Sequence, residues 1–421
     1  MDSSQSMPRL IQLATTINLS VARIQKVLDS QQAPSPSFDE DSVPLPVDIR
    51  DAQDVVLDAT AELHDLLTDP LNLMHRFARG DKTACLQTIA RFDIASLVPP
   101  GGQISFKELA SQTPLTEQMM GRIIRHAVTM RVFREPECGF VAHTRASRML
   151  ASPEMRDWIR AGTEELGPAG SKLAEALEKW PGSQEPNETG FSLANNTTGS
   201  IYDVISEYPQ RAVRFANAMK VMTSKPEFDA CYGTDFYDWA SLGTARVVDV
   251  GGGNGHFALT LAKRYPRLDV VVQDMAKVVE NATSGDLRER VRFMAHNLFD
   301  AQTIAADVFF FRWIFHNWSD RYCIQILRAQ LPALKKGARL VVQESFMPAS
   351  GSVSQCKERD LRAMDLEMAY TFNSRERTLA DWKALFREAD PGFVFKSAIE
   401  PKGSAMGILE FKWDGADGSA T

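Results

Sequence analysis

Hydrophobic residues recur at helical spacing from the start of the chain. Apolar side chains stand at every third or fourth position between residues 8 and 28, which predicts an amphipathic helix. Residues 30–46 are rich in proline, serine and acidic residues and predict a linker without regular structure, and a helical pattern resumes over residues 47–79. The apolar stripe of the first helix must be buried either against a partner subunit or against a distant part of its own chain, and we favour the partner.

Three helices and two short strands are expected between residues 81 and 150. Ser105 and Thr116 are placed to cap the second and third of these helices, and the residues around 137–139 suit the turn of a β-hairpin. This order is typical of a winged helix, a module that either binds DNA or serves as a structural and dimerisation platform. Basic residues on the third helix keep DNA binding open as an alternative.

Strands and helices alternate after residue 243, following a helical stretch at 156–242. Such alternation is typical of a parallel sheet covered by helices on both faces. The last segment departs from it, because two apolar runs joined through Lys402–Gly403 predict an antiparallel hairpin. The predicted strands are residues 245–250, 268–273, 291–298, 308–315 and 338–344, with helices from residue 256, near 322–334 and near 379–389.

The fold class is therefore α/β, with a Rossmann-like domain that an antiparallel hairpin closes and a helical, winged-helix-like domain that precedes it. The chain divides into four segments on this basis. They are the N-terminal helix and linker (1–46), the winged-helix-like domain (47–155), a helical connection that contributes to the substrate pocket (156–242) and the catalytic domain (243–421).

A glycine loop follows the first strand of the α/β segment. Its glycines permit close approach of a ligand to the backbone, but the bulky His256 stands where a dinucleotide-binding loop has its third glycine. Asp274 ends the next predicted strand, where an acid can accept both hydroxyl groups of a ribose. The expected ligand is a nucleoside without a diphosphate, and S-adenosylmethionine fits that description. The loop glycines are Gly251, Gly252, Gly253 and Gly255.

Polar side chains at the ends of two later strands suggest a catalytic site. His316 is expected at the carboxyl end of the fourth strand, where strand alternation puts Arg312 and Ile314 on the same face. Glu344 ends the next strand, and Glu376 stands just before a predicted helix. A histidine and an acid at the ends of adjacent strands, near a predicted cofactor, favour chemistry over a structural role.

The residue types indicate how such a site would work. A sulfonium methyl group is already an activated electrophile, so no metal ion and no covalent nucleophile is needed, and no metal site is predicted. A hydroxyl acceptor must lose its proton as it attacks, and neutral imidazole, whose ordinary pKa is about 6.5, is a competent base within hydrogen-bond reach. A carboxylate on the other ring nitrogen fixes the tautomer and raises the basicity.

Composition argues against several other classes of protein. The net charge of −7 and the pI of about 5.6 disfavour a nucleic-acid partner, because such proteins usually carry a basic face. No apolar run approaches the roughly 20 residues that a membrane span needs, so no membrane partner is expected. The five cysteines are scattered without a CxxC pair, which disfavours a disulfide framework or a zinc site and suits a reducing, cytoplasmic location.

The motifs and their order resemble those of class I S-adenosylmethionine-dependent O-methyltransferases of the caffeate and fungal secondary-metabolite type, from about residue 80 to 413. VVDVGGGNGHF resembles the first cofactor motif of that family, VVQDM the ribose-binding motif and HNLFD the adenine-binding motif. RWIFHNWSD resembles the catalytic segment, with HNW in place of the commoner HDW. The resemblance implies S-adenosylmethionine as cofactor and an intertwined homodimer built on the N-terminal helical part.

The resemblance also implies the roles of individual residues. His316 would be the general base, flanked by Glu344 and Glu376. The cofactor positions would be Gly251, Gly252, Gly253, Asp274, Asn297, Leu298 and Arg312, of which Asn297 and Leu298 replace an Asp and a Met usual in plant members, and Arg312 matches a position that is often lysine. A small, flat, aromatic acceptor would be bound by Met219, Met222, Phe346, Met368 and Phe372.

Two alternatives stay open. Some fungal proteins of this fold bind S-adenosylmethionine but catalyse pericyclic ring-forming or dehydration steps, and the presence of His316, Glu344 and Glu376 favours methyl transfer over these. The other alternative is a winged-helix DNA-binding regulator with a degenerate cofactor site, against which the intact glycine loop and His316 argue.

Overall fold

The structure is a computed structural model that describes residues 7–415. It divides into two compact units, each built from separate stretches of the chain. Of the described residues, the first comprises 7–167, 209–221 and 350–361, and the second comprises 168–208, 222–349 and 362–415. The four segments expected from the sequence are defined by their patterns and not by contacts, and that division stays a prediction.

The first unit is mainly helical, and the predicted N-terminal helix, the linker and the helical stretch after it are confirmed, while burial of the apolar stripe against a partner subunit stays a prediction. The first helix packs against the second, Arg9 donates to Glu62 across that contact at 2.6 Å, and residues 31–46 contain neither helix nor strand. The helices are α1 (Arg9–Ser30), α2 (Arg50–Leu67), α3 (Pro70–Ala78), α4 (Asp81–Arg91), α5 (Ile94–Leu97), α6 (Phe106–Ser111), α7 (Glu117–Thr129), α8 (Arg145–Leu150) and α9 (Pro153–Arg160), and a π-helical turn follows at Ala161–Leu166.

Local sequence signals account for the middle of this unit. Ser105 caps α6 through a capping box with Glu108, and Thr116 caps α7, as predicted. The predicted hairpin is present as β2 (Phe133–Arg134) and β3 (Phe140–His143). A strand that the sequence did not reveal, β1 (Gln103–Ser105), pairs with β3 and completes a small sheet in the order β1-β3-β2.

Helices occupy much of residues 167–242, in agreement with the helical pattern predicted there. They are α10 (Gly167–Ser171), α11 (Leu173–Lys179), α12 (Gly190–Ala194), α13 (Ile201–Glu207), α14 (Pro209–Thr223) and α15 (Cys231–Asp235). Among residues 7–415, no helix has both the length and the apolar character that crossing a membrane requires.

The second unit contains the predicted α/β sheet. Its order is β6-β5-β4-β7-β8-β10-β9, with parallel pairing from β6 to β8 and an antiparallel hairpin, β9 and β10, at one edge. The strands are β4 (Ala245–Val250), β5 (Leu268–Asp274), β6 (Val291–Ala295), β7 (Ala306–Arg312), β8 (Leu334–Glu344), β9 (Phe393–Ile399) and β10 (Gly407–Trp413). The helices are α16 (His256–Arg264), α17 (Ala276–Val279), α18 (Asp320–Gln330), α19 (Gln355–Phe372) and α20 (Leu379–Ala389).

Both faces of this sheet are buried, which explains the nearly continuous apolar runs of its central strands. Phe309 and Phe311 of β7 pack into a core that includes α18 and α20. Val308 and Phe310, on the opposite face, pack into a second core with α16. Because successive side chains of a strand point to opposite faces of the sheet, β7 contributes to both hydrophobic cores.

Several predicted bounds were wrong. The strand expected at 308–315 ends at Arg312, because Trp313 has φ +55° and residues 315–317 form a 3-10 turn. Arg312, Ile314 and His316 therefore do not share a strand face. The strand expected to reach residue 298 ends at Ala295, the helix expected to reach 334 ends at Gln330, and β8 begins at Leu334. The sequence patterns also did not reveal α19.

Candidate active site

The glycine loop and the end of β5 hold one another in place. The backbone N–H groups of Gly251 and Gly252 donate to the carbonyl oxygen of Gln273 at 2.7 and 3.1 Å. Oδ2 of Asp274 accepts a hydrogen bond from the N–H of Gly253 at 2.9 Å. Gly251, Gly253 and Gly255 have φ of +73°, +57° and +76°, a region that only glycine enters at no steric cost. The loop therefore orients the carboxylate that the sequence predicts to bind a ribose.

A pocket lies beside this carboxylate, at the carboxyl ends of β4 and β5. Three of the predicted cofactor residues, Gly251, Asp274 and Leu298, line it. Asn297 is not among the lining residues, since it is exposed and its side-chain oxygen accepts the N–H of Phe299 at 3.2 Å. The other lining residues are Val250, Gln273, Met275 and His296.

Buried charges cluster at the carboxyl ends of β4, β7 and β8. Burial raises the pKa of Asp249 to about 7, although the guanidinium of Arg312 opposes the rise. Arg312 donates to the carbonyl oxygen of Phe228, and burial lowers its pKa. Within residues 7–415, Oδ2 of Asp249, Nε of Arg312 and both polar side-chain atoms of Gln343 are buried without a hydrogen-bond partner. Burying polar atoms without a hydrogen-bond partner raises the free energy of the folded protein, and a ligand that pairs with them removes this penalty. The cluster is therefore suited to a ligand with charged ends.

Asp249 and Gln343 were not among the residues expected from the sequence. A signal for Asp249 was present, because an acid inside the apolar run VVDV is rarely buried without a role. Gln343 carries no comparable signal, since an amide at a strand end is ordinary.

A buried carboxylate braces the turn that carries His316. Glu344, at the end of β8, is fully buried. Its Oε1 accepts the backbone N–H groups of Ile314 and Phe315 at 2.8 and 2.9 Å. These two bonds take the place of strand pairing after β7 and set the position of the 3-10 turn Phe315–Asn317.

The imidazole of His316 is paired with the second predicted acid. Its Nδ1 lies 3.0 Å from Oε1 of Glu376, whose own backbone N–H donates to Asp365 at 2.8 Å. A carboxylate can only accept, so it places the proton on Nδ1 and leaves the lone pair of Nε2 for an acceptor. The structure thus brings His316, Glu344 and Glu376 together, as the sequence predicts.

The pKa values of His316 and Glu344 both depart from their ordinary values. Burial alone would lower the pKa of His316, but the carboxylates of Glu344 and Glu376 outweigh it and raise the pKa above its ordinary value. Burial raises the pKa of Glu344, and the charge of His316 opposes that rise. A base with a raised pKa is a stronger proton acceptor once it is neutral.

These three residues also offer ligand atoms for a metal ion. One atom from each lies within 4.8 Å of the others. Histidine and carboxylate side chains are common ligands of divalent cations. The expectation that the site works without a metal rests on the chemistry of a sulfonium methyl group and stays a prediction.

Arg377 binds the backbone at both ends of the 3-10 turn that carries His316, here called the catalytic turn. The sequence patterns did not predict this role. Arg377 is fully buried, and it donates to the carbonyl oxygens of Phe315 and Trp318 at 3.0 and 2.8 Å and to Asp320 at 2.7 Å. It directly follows Glu376 in the chain, so one segment supplies both the partner of the imidazole and the clamp on its backbone. Its position beside a predicted catalytic acid was the only sequence signal.

Only some of the predicted acceptor-binding residues come together. Met368 and Phe372 are buried on α19, and the ring of Phe372 lies 5.7 Å from that of Tyr202, which stacks on Trp318 at 6.0 Å. Tyr202 was not predicted, and an isolated tyrosine on a short helix gave no signal. Phe346 packs against the core of the sheet, and the two remaining predicted residues, Met219 and Met222, lie on α14.

Two family matches cover most of the chain. Residues 184–394 match the O-methyltransferase domain, and residues 72–153 match the O-methyltransferase dimerisation domain. O-methyltransferase PaMT of Phomopsis amygdali is 40% identical over 413 residues, which are 96% of this chain and 97% of the relative. Chlorophenol O-methyltransferase of Trichoderma longibrachiatum is 34% identical over 96% of this chain and 90% of its own.

Solved structures share the fold at lower identity. OxaC in complex with SAH and oxaline has a TM-score of 0.74 and 19% identity, over 96% of this chain and 100% of that chain. LepI in complex with SAM has a TM-score of 0.73 and 21% identity, over 95% of this chain and 99% of that chain. At these identities the comparison shows the Rossmann-like fold with its helical N-terminal part.

Proposed function

The chain belongs to the O-methyltransferase family and is an S-adenosylmethionine-dependent methyltransferase, and we propose that it methylates a hydroxyl group of a small aromatic secondary metabolite with His316 as general base. The observation that carries the proposal is the pairing of His316 with Glu376 at 3.0 Å in a turn that Glu344 braces. The name of the chlorophenol O-methyltransferase supports a phenolic acceptor.

The cofactor fits the polar groups of the second unit. Asp274, which the N–H of Gly253 orients, would accept the ribose hydroxyl groups, and Gly251 and Leu298 line the same pocket. We assign the buried charges of Asp249 and Arg312 to the amino-acid end of S-adenosylmethionine, whose ammonium and carboxylate groups would pair with their unsatisfied atoms. When bound, the cofactor supplies an electrophilic methyl group and a sulfide leaving group.

The chain's own residues supply the general base and hold its imidazole ring in position. Nε2 of His316 removes the proton of the acceptor hydroxyl as its oxygen attacks the methyl carbon, and the imidazolium that forms is stabilised by Glu376 and Glu344. Because Glu344 and Arg377 fix the turn, the ring is held in one orientation before the acceptor binds.

His316→Ala tests the base directly. We expect kcat for methyl transfer to fall by roughly 10²–10⁴, the usual contribution of a positioned base, while the affinity for S-adenosylhomocysteine changes little. The measurement is transfer of a labelled methyl group to a panel of phenols, with calorimetry for the cofactor product. Unchanged kcat in the variant would exclude His316 as the base, and product formed without consumption of S-adenosylmethionine would favour the pericyclic alternative.

A chelator separates the proposed mechanism from one that needs a metal ion. Because the imidazole and the sulfonium provide base and electrophile, we expect activity to survive dialysis against EDTA. Loss of activity that Mg²⁺ or Zn²⁺ restores would instead assign His316, Glu344 and Glu376 as metal ligands.

We further propose that two chains form a homodimer through the N-terminal helices, with the small helical and β-stranded unit as a winged-helix-like platform that binds no DNA. The match of residues 72–153 to a dimerisation domain supports this assembly. Exposed apolar side chains on α1, α2 and α3 give such an interface its hydrophobic surface. They include Leu19, Val21, Leu67, Leu71, Met74 and Phe77.

The five cysteines are all unpaired, which supports a reducing compartment such as the cytoplasm.

A further inference from the structure

A histidine that the proposed mechanism does not use lines the cofactor pocket. His296 directly follows β6, and its backbone N–H donates to the carbonyl oxygen of Asp274 at 2.9 Å, which holds it beside the acid assigned to the ribose. Its side chain is half-buried, and within residues 7–415 its Nε2 is buried without a hydrogen-bond partner. A polar atom buried in this way is unfavourable until a ligand pairs with it.

The other polar side chains that line this pocket already have partners. The amides of Gln273 and Gln302 exchange hydrogen bonds at 2.9 and 2.8 Å. Asp274 accepts two backbone N–H groups, at 2.7 and 2.9 Å, and its remaining lone pairs suit the ribose hydroxyl groups. His296 is therefore the lining side chain that remains to pair with another polar group of the cofactor.

The order of the strands indicates which part of the cofactor that is. The strands β6, β5 and β4 are neighbours in the sheet, and neighbouring strands lie about 4.8 Å apart. His296, Asp274 and Asp249 stand in this order at their carboxyl ends. The ribose links the base to the amino-acid end of the cofactor. With the amino-acid end at Asp249 and the ribose at Asp274, the base falls beside His296.

The neighbouring Asn297, to which the family resemblance gives the adenine, does not line the pocket. It is exposed, and its side-chain oxygen accepts the N–H of Phe299 at 3.2 Å. An imidazole suits the edge of adenine, because one ring nitrogen can donate while the other accepts, and the base presents both an amino donor and ring-nitrogen acceptors. The apolar side chains of Val250 and Leu298 in the same pocket suit the faces of the base.

We propose that His296, and not Asn297, makes the side-chain hydrogen bond to the adenine of S-adenosylmethionine. The inference rests on the proposed cofactor site and goes beyond it by naming the residue that recognises the base. Because Nε2 gains its partner only when the cofactor binds, the bond contributes to cofactor affinity and takes no part in proton removal by His316. His296 is thus a specificity-determining residue for the nucleobase.

The first test measures the affinity for S-adenosylhomocysteine by titration calorimetry without an acceptor. His296→Phe keeps a ring of similar size and removes its nitrogens, so we expect Kd to rise by about 3- to 10-fold, the value of one hydrogen bond between neutral groups. Asn297→Ala is the matched control, since it truncates the adjacent exposed amide, and should leave Kd nearly unchanged. The melting temperature of each ligand-free variant shows that it is folded.

The second test uses analogues of S-adenosylhomocysteine whose base lacks a single polar atom, one of the ring nitrogens or the exocyclic amino group. In wild type we expect at least one of these analogues to bind about 3- to 10-fold more weakly than the parent compound. That loss should disappear in His296→Phe, because the atom that the analogue lacks then has no partner to lose. The analogue concerned identifies the atom of the base that His296 contacts.

Several outcomes would overturn the role of His296. They are wild-type affinity in His296→Phe, losses of equal size for every analogue in wild type and variant, and coupling of His296 to an analogue without a ribose hydroxyl group instead of to the base. Weaker binding by Asn297→Ala alone would restore the role that the resemblance gives to Asn297. A wild-type protein that binds no S-adenosylhomocysteine would instead contradict the proposed function itself.

Discussion

The titration of His316 depends on the charges and the burial around its ring. Two carboxylates raise the pKa of the imidazole, while burial opposes them. Only the neutral imidazole can remove a proton, so the rate should rise with pH and reach half of its plateau above about 6.5, the ordinary pKa of histidine. The raised pKa thus strengthens the base and moves the acid limb of the pH–rate profile upward.

Glu376→Gln should shift that limb in the opposite direction. The amide can still hold the ring, but it no longer stabilises the imidazolium, so the pKa of His316 falls and the midpoint of the acid limb moves to lower pH. The measurement is kcat against pH for wild type and variant. Glu388→Gln on the exposed side of α20 is the control and should leave the profile unchanged. An unmoved midpoint in the Glu376 variant would contradict the role given to its charge.

Arg377→Lys should lower both stability and kcat. A lysine ammonium cannot reach the carbonyl oxygens of Phe315 and Trp318 and the carboxylate of Asp320 in one geometry, whereas the guanidinium does. We expect the free energy of unfolding to fall by about 2–4 kcal/mol, with cofactor affinity nearly unchanged. Denaturant unfolding and steady-state kinetics measure the two effects.

The neighbouring Arg375→Lys is the natural comparison. Arg375 also donates to Asp320, at 2.7 Å, but its side chain is 46% exposed. Exposed ion pairs contribute little, so this variant should lose less than about 1 kcal/mol. Equal losses in the two variants would mean that Arg377 is no more than another member of a surface ion-pair network.

Elements with strong local patterns were predictable, and those that distant residues define were not. The helix α20 and the strand β4 match the expected bounds, because a capping threonine and an apolar run determine them locally. The turn after β7 depends on Glu344, whose bond to Ile314 spans 30 residues, and no local pattern indicates that contact. For the same reason the sequence did not reveal the roles of Arg377 and Gln343. The bond from Arg377 to Phe315 spans 62 residues, and the amide of Gln343 lacks a partner only once the chain is folded.

The loop after β4 is an element whose packing can be tested by a pair of glycine variants. A Cβ at Gly251 would collide with the side chain of Ile314 in the catalytic turn, whereas a Cβ at Gly253 would meet open space, and both residues have positive φ. Gly251→Ala should therefore lower the melting temperature of the ligand-free protein more than Gly253→Ala, by an overpacking cost of about 1–3 kcal/mol. Thermal unfolding measures the difference, and equal destabilisation would show that only backbone strain matters at this loop.

For the whole molecule, the proposed dimer can be tested at the N-terminal helices. Leu13 and Leu28 of α1 are buried within the chain, while Leu19 and Val21 remain exposed. A protein without residues 1–45 should therefore dimerise less well or aggregate, because it exposes the surface of α2 that α1 covers. Light scattering at micromolar concentration measures the state of both proteins. A monodisperse wild-type monomer would contradict the proposed dimer.

Trp313 has a consequence for attempts to make this enzyme more robust. A bulky residue with φ +55° costs about 1–2 kcal/mol relative to a relaxed backbone. Its ring nevertheless meets Phe228 edge-on at 5.0 Å and lies 6.4 Å from the imidazole of His316. A glycine at position 313 would release that strain, but it would also remove the ring contacts with Phe228 and His316 and increase the entropy of the unfolded chain, and these two losses exceed the strain that is relieved. The strained backbone is therefore retained because the ring that it positions contributes more than the strain costs, and Trp313 is not a site at which glycine would make the enzyme more robust.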